Sequence, residues 1–92
     1  MNTKNRIAIV TGGNRGIGRA IVSLFVKNGI KVLFTYHKNK SAAQEVESEF
    51  KDMVASCCCD VANFQSVQNA VACAIQKWGR VDVLVSNAGL TH

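Results

Sequence analysis

The stretch Ile7-Ala8-Ile9-Val10-Thr11-Gly12-Gly13-Asn14-Arg15-Gly16-Ile17-Gly18 constrains this chain more than any other. A short apolar run of strand type enters a turn rich in glycine. Apolar residues then recur at Ile17, Ala20, Ile21, Leu24 and Phe25, which is the spacing of one helical stripe facing a sheet. A strand that turns sharply into a helix leaves the first helical N–H groups unpaired. The helix dipole favours negative charge at the same place, so the turn is expected to hold an anion such as a phosphate.

The rest of the chain repeats the alternation. The first strand is expected over 6–10, and Asn28-Gly29 supplies the stop for the first helix. A second strand is expected over 31–36, where Val32, Leu33 and Phe34 are continuously apolar, as suits a parallel strand covered on both faces. Ser41 is the expected N-cap of the next helix, with Gln44 as its capping-box partner and Ala43, Val46 and Phe50 on the buried face. A third strand is expected over 53–59. Asn63 then caps a helix whose stripe is Val67, Ala70, Val71, Ala74, Ile75 and Trp78, closed by Gly79. A fourth strand, over 81–85, runs into Ser86-Asn87-Ala88-Gly89. The order β-α-β-α-β-α-β with short connections implies an α/β fold: a parallel, doubly wound sheet with helices on both faces and strand order 3-2-1-4. Its ligand crevice lies outside the carboxyl ends of strands 1 and 4, where the winding reverses.

Composition narrows the partners. A hydrophobic share of 48% supports a packed core. The net charge of +5 is spread along the chain rather than clustered, and no nucleic-acid-reading motif accompanies it. No apolar run approaches the ~20 residues of a membrane span, and no leader sequence is visible, so a soluble, cytoplasmic protein is expected. Cys57, Cys58 and Cys59 are consecutive and Cys73 follows, with no Cys-x-x-Cys spacing. Adjacent residues of a strand point to opposite faces, so the three cannot form one tetrahedral zinc face. They are expected to be small buried residues of a central strand, or else to include a redox-sensitive thiol.

Three motifs occur in order: Thr11-Gly12-x-x-x-Gly16-x-Gly18, Asp60-Val61 after the third strand, and Asn87-Ala88-Gly89 after the fourth. Together they resemble the short-chain dehydrogenase/reductase family, most of all the 3-oxoacyl-acyl-carrier-protein reductase group and its near relatives. The resemblance spans essentially the whole chain. It implies a nicotinamide dinucleotide cofactor and the reduction of a carbonyl, with a 3-oxoacyl thioester as one candidate substrate. By that resemblance Gly12, Gly13, Gly16, Ile17 and Gly18 form the pyrophosphate turn, with Asn14 and Arg15 on its adenosine side. Asp60 would accept a hydrogen bond from the adenine amino group, with the Val61 backbone beside it. Asn87, Ala88 and Gly89 would line the ribose. Ser86 departs from the family, which often has a second asparagine there.

The end of the second strand bears on which dinucleotide is held. A site for NAD places a carboxylate there for the ribose 2′-hydroxyl. This chain instead reads Thr35-Tyr36-His37-Lys38-Asn39-Lys40, and Arg15 adds a guanidinium from the glycine turn. Cations suit the additional 2′-phosphate of NADP, so NADP is expected over NAD, with His37 and Lys38 contributing.

Tyr36 and Lys40 also spell Tyr-x-x-x-Lys, the family's proton-donating pair. The pair belongs on a helix well after the Asn-Ala-Gly turn, however, so Tyr36 is read as a strand-end aromatic. The resemblance places the catalytic asparagine, serine, tyrosine and lysine beyond His92. Residues 1–92 are therefore expected to be the cofactor-binding N-terminal part of a reductase, truncated after the fourth strand, carrying no catalytic residue and inactive alone. The alternative is a non-catalytic nucleotide-binding remnant or an interaction module that pairs through its fourth strand, and a homo-oligomer fits either reading.

Overall fold

The computed structural model describes residues 6–12, 16–60 and 63–86. Strand β1 (Ile7–Val10) leads to helix α1 (Gly16–Lys27), β2 (Lys31–Tyr36) and helix α2 (Lys40–Phe50). A 3-10 turn (Lys51–Met53) then leads to β3 (Val54–Cys58), helix α3 (Phe64–Trp78) and β4 (Val83–Val85). The four strands form one parallel sheet in the order β3-β2-β1-β4. That is the doubly wound order expected from the alternation, with the reversal between β1 and β4.

Register sorts the side chains into two faces. Ala8, Val10, Val32, Phe34 and Val54 pack with Val22 of α1 and with Ala43 and Val46 of α2. Ile9 and Leu33 point the other way and pack with Ala70 and Ala74 of α3. The central strands are apolar at consecutive positions because both of their faces are covered.

Several local expectations need correction. The strands are shorter than the apolar runs suggest: Arg6, Met53, Cys59, Val81 and Asp82 fall outside them. Helix α2 begins one residue before Ser41. Asn39 is its N-cap, its side-chain oxygen accepting the Ala42 N–H at 3.0 Å. The asparagine amide oxygen fits that geometry as well as a serine hydroxyl would, and here the chain enters the helix earlier. The buried stripe of α1 is rotated from the one expected. Gly18 and Val22 are buried and Ile21, Phe25 and Val26 are packed beside them, while Ile17 is 61% and Leu24 58% exposed. Gly18 has no side chain, so the helix seats closest to the sheet along the Gly18–Val22 line. In α3, Ile75 is likewise exposed, on the side away from Ala70 and Ala74. The expected central position of the cysteine strand also fails. β3 is an edge of the sheet, and of its cysteines and the next residue only Cys59 is buried; Cys57 is half-buried and Cys58 exposed.

Three helix ends follow the sequence closely. Gly29 and Gly79 take φ of +79° and +86° just past α1 and α3, the left-handed conformation that glycine adopts without steric cost. Asn63 caps α3 through the Ser66 N–H at 3.2 Å.

β4 is fastened at its amino end by a clip that no local pattern announces. The Asp82 N–H donates to the Ile7 carbonyl, and the Asp82 carboxylate accepts the Ile7 N–H, each at 2.8 Å. Arg80 pairs with the same carboxylate. The Ile7 hydrogen bond first, and Arg80 after it, hold this carboxyl below its ordinary range.

Candidate dinucleotide-binding site

The glycine turn is strapped to both neighbours of β1. Thr11 extends the ladder beyond β1 by donating its N–H to the Val85 carbonyl at 3.0 Å, with its hydroxyl 3.4 Å from the same oxygen. On the other side, Gly12 donates its N–H to the Thr35 hydroxyl of β2 at 3.1 Å. Thr35 is 2% exposed. A hydroxyl at that depth needs a partner, and the turn provides one. The position of Thr35 in the apolar run of β2 is the signal by which this support could have been found in the sequence.

The backbone at the turn needs glycine. Gly12 and Gly16 take φ of +70° and +62°, where other residues are strained. A Cβ on Gly16 would meet nothing within 4 Å, so the requirement there is conformational, and the space above the first residue of α1 is open. No acidic residue lies in the first turn of α1. An open approach, the amides of a helix N-terminus and no carboxylate in its first turn fit a phosphate group of a dinucleotide. Ile17 stands exposed in that first helical turn, and Gly18 is buried behind it.

The other described residues of the expected site gather along the same edge of the sheet. His37 and Lys38 are exposed immediately after β2, and the first acid beyond them in sequence is Glu45. Their backbone is held by β3: Cys59 donates its N–H to the Tyr36 carbonyl at 2.8 Å, and the Cys58 thiol lies 3.6 Å from the His37 carbonyl. Asp60 follows β3 and is exposed. Its N–H donates to the Ser66 hydroxyl at 3.1 Å and its carbonyl accepts the Asn63 N–H at 2.8 Å, so the post-β3 turn is folded onto the start of α3. Neighbouring strands lie about 4.8 Å apart, which sets the Gly12, His37 and Asp60 positions along roughly 10 Å of one crevice. Gly13, Asn14, Arg15, Val61, Asn87, Ala88 and Gly89 lie outside the described residues.

Tyr36 ends β2 and packs partly against the core under α2, while Lys40 opens α2. Burial, and then the neighbouring Cys58, Cys57 and Glu47, push the Tyr36 phenol up. A proton donor activated by a lysine needs the opposite shift, so the Tyr36–Lys40 spacing has no acid-catalytic setting here. Among the described residues no cluster of three histidine, cysteine or acidic side chains could hold a metal ion, and no helix is long and apolar enough to cross a membrane.

Residues 6–92 match the family model of the short chain dehydrogenases. The chain belongs to that family. Among curated short-chain dehydrogenases, short chain aldehyde dehydrogenase 1 of Euphorbia lathyris is 38% identical, over 96% of this chain and 31% of its own length. A 3-oxoacyl-acyl-carrier-protein reductase of Vibrio cholerae is 36% identical over 100% of this chain and 37% of its own. The chain thus spans about a third of the length of these relatives. In structure it is similar to a mutant short-chain dehydrogenase/reductase of Serratia marcescens, with a TM-score of 0.90 and 35% identity over 100% of this chain and 39% of that one. A 3-ketoacyl-(acyl-carrier-protein) reductase of Brucella melitensis solved with NADH has a TM-score of 0.81 and 31% identity, over 88% of this chain and 33% of that one. A blue fluorescent protein from a metagenomic library, solved with NADPH, has a TM-score of 0.89 and 38% identity over 96% and 38%. The chain therefore corresponds to the nucleotide-binding region of a short-chain dehydrogenase/reductase, an oxidoreductase family that uses nicotinamide dinucleotides.

Proposed function

We propose that the chain is the cofactor-binding part of an NADP(H)-dependent short-chain oxidoreductase that reduces a carbonyl. One observation carries the cofactor preference. The segment after β2 presents His37 and Lys38 to solvent with no acidic residue adjoining them in the sequence. A site selecting NAD needs an acceptor for the ribose 2′-hydroxyl at this position, whereas a cation there repays the 2′-phosphate. In this reading Gly12, Gly13, Gly16, Ile17 and Gly18 admit the pyrophosphate, with Asn14 and Arg15 beside the adenosine. Asp60 and Val61 hold the adenine edge, and Asn87, Ala88 and Gly89 line the ribose.

When bound, the reduced nicotinamide supplies hydride to a carbonyl carbon. Residues 1–92 orient the cofactor; protonation of the developing alkoxide needs an acid that the described site does not hold. The similarity to 3-oxoacyl-acyl-carrier-protein reductases supports a 3-oxoacyl thioester as substrate. The setting we propose is the cytoplasm, in a homo-oligomer of the full-length enzyme.

Titration of the chain with NADPH and with NADH tests the preference. A charge-assisted contact is worth about 1.5–3 kcal/mol, so NADPH should bind at least about tenfold more tightly. Lys38→Glu should erase or reverse that ratio. Equal affinities in the native chain overturn the NADP reading. Addition of a 3-oxoacyl thioester to the chain with NADPH should give no oxidation, and turnover would show that the catalytic acid lies within residues 1–92.

A further inference from the structure

Cys57 and Cys73 take no part in the nucleotide site, yet the two come together where α3, which packs on β1 and β2, flanks β3. Cys57 faces the α3 side of the sheet and packs against the cluster that contains Ala70 and Ala74. Cys73 lies between those alanines in sequence and is exposed. The Ser66–Asp60 hydrogen bond fixes the register of the two elements. From Asp60 back to Cys57 is three extended residues, about 10 Å. From Ser66 forward to Cys73 is two helical turns, also about 10 Å and on nearly the same side of the helix. A crossover helix runs back along the strand it leaves, so the two steps point the same way and end opposite each other.

We propose that Cys57 and Cys73 form a reversible disulfide that staples the edge strand β3 to α3. The oxidant is a small disulfide such as oxidised glutathione. The Cys73 thiolate, the exposed member, attacks it to give a mixed disulfide and releases one glutathione thiolate. The Cys57 thiolate then attacks the Cys73 sulfur, forming the Cys57–Cys73 bond and releasing the second. Two protein thiols lose two electrons and two protons, and one glutathione disulfide becomes two thiols. Burial, followed by the facing Cys73, pushes the Cys57 thiol up, which suits Cys57 as the second rather than the first group to react. Cys58 is on the opposite face with its thiol near the His37 carbonyl, and Cys59 is buried at 3% exposure.

The test is oxidation of the native chain by glutathione disulfide, followed by denaturation, alkylation and mass spectrometry. The four free thiols should fall to two, with a mass loss of about 2 Da and a peptide linking Cys57 to Cys73. Cys57→Ser and Cys73→Ser should each abolish the internal link, whereas Cys58→Ser should keep it. The same oxidation in urea should scatter the pairing over all four cysteines. Four thiols remaining, glutathione adducts with no internal bond, a link from Cys73 to Cys58 or Cys59, or the same pairing pattern with and without urea would each overturn the proposal.

Discussion

The two faces of the sheet are built differently. One face is covered by α1 and α2 and buries Phe34, Val10, Val32, Val22 and Val46 completely. The other is covered, among the described residues, by α3 alone. It buries Ile9 and Leu33 but leaves Leu84, on the same face of β4, 56% exposed and Ile75 of α3 exposed as well. The difference teaches how each strand is held. Central strands are held by burial on both sides. β4 lacks that and depends more on backbone ladders, the Thr11 strap and the Asp82 clip.

Truncation breaks the comparison most severely if it is wrong. Phe34→Ala should cost about 3–5 kcal/mol in urea unfolding, because a fully buried ring is lost from the two-helix face. Leu84→Ala should cost less than about 1 kcal/mol, since most of its side chain is already wet. Equal costs would mean that the two faces are equally packed.

Acid should find β4 before the centre of the sheet. The Asp82 carboxyl titrates lower when folded than when unfolded, so between those two values the unfolded chain binds more protons. Its contribution is complete above the unfolded carboxylate value of about 3.9 and is lost as pH falls through the lower folded value. Asp82→Asn keeps an oxygen for the Ile7 N–H but removes the titration, so the acid limb of stability against pH should flatten. An unchanged acid limb would show that the clip does not hold β4.

The smallest effects are expected at the rim of the two-helix face. Asn39→Ala should cost about 1 kcal/mol by removing the cap of α2, and Ser41→Ala only a few tenths, the reverse of what the capping-box spelling suggests. Thermal unfolding of the two variants ranks them directly.

Element order, sheet order and the glycine turn were legible in the sequence, because continuous apolar runs mark doubly covered strands and glycines punctuate the helices. What escaped depended on partners distant in the chain. The stripe of α1 is centred on Gly18 and Val22 because the sheet approaches closest there, and a pattern that counts only apolar side chains passes over a glycine. The Asp82 clip joins residues at opposite ends of the chain. The three cysteines looked central because small apolar residues suit an interior strand, yet the strand order itself puts them at an edge. At the candidate site, the exposed polar residues after β2 and β3 were readable from order alone, and Thr35 stood out as a polar residue in an apolar run, whereas its partner, the Gly12 N–H, required the packed sheet.

That support has a consequence for redesign. β2 carries two separate functions along one line: Thr35 braces the glycine turn from inside, and His37 and Lys38, the proposed discriminators, stand outside just past the strand. The brace and the discriminator share a strand but no atoms. Rewriting the exterior segment should therefore leave the turn its shape, provided the hydroxyl at position 35 is retained.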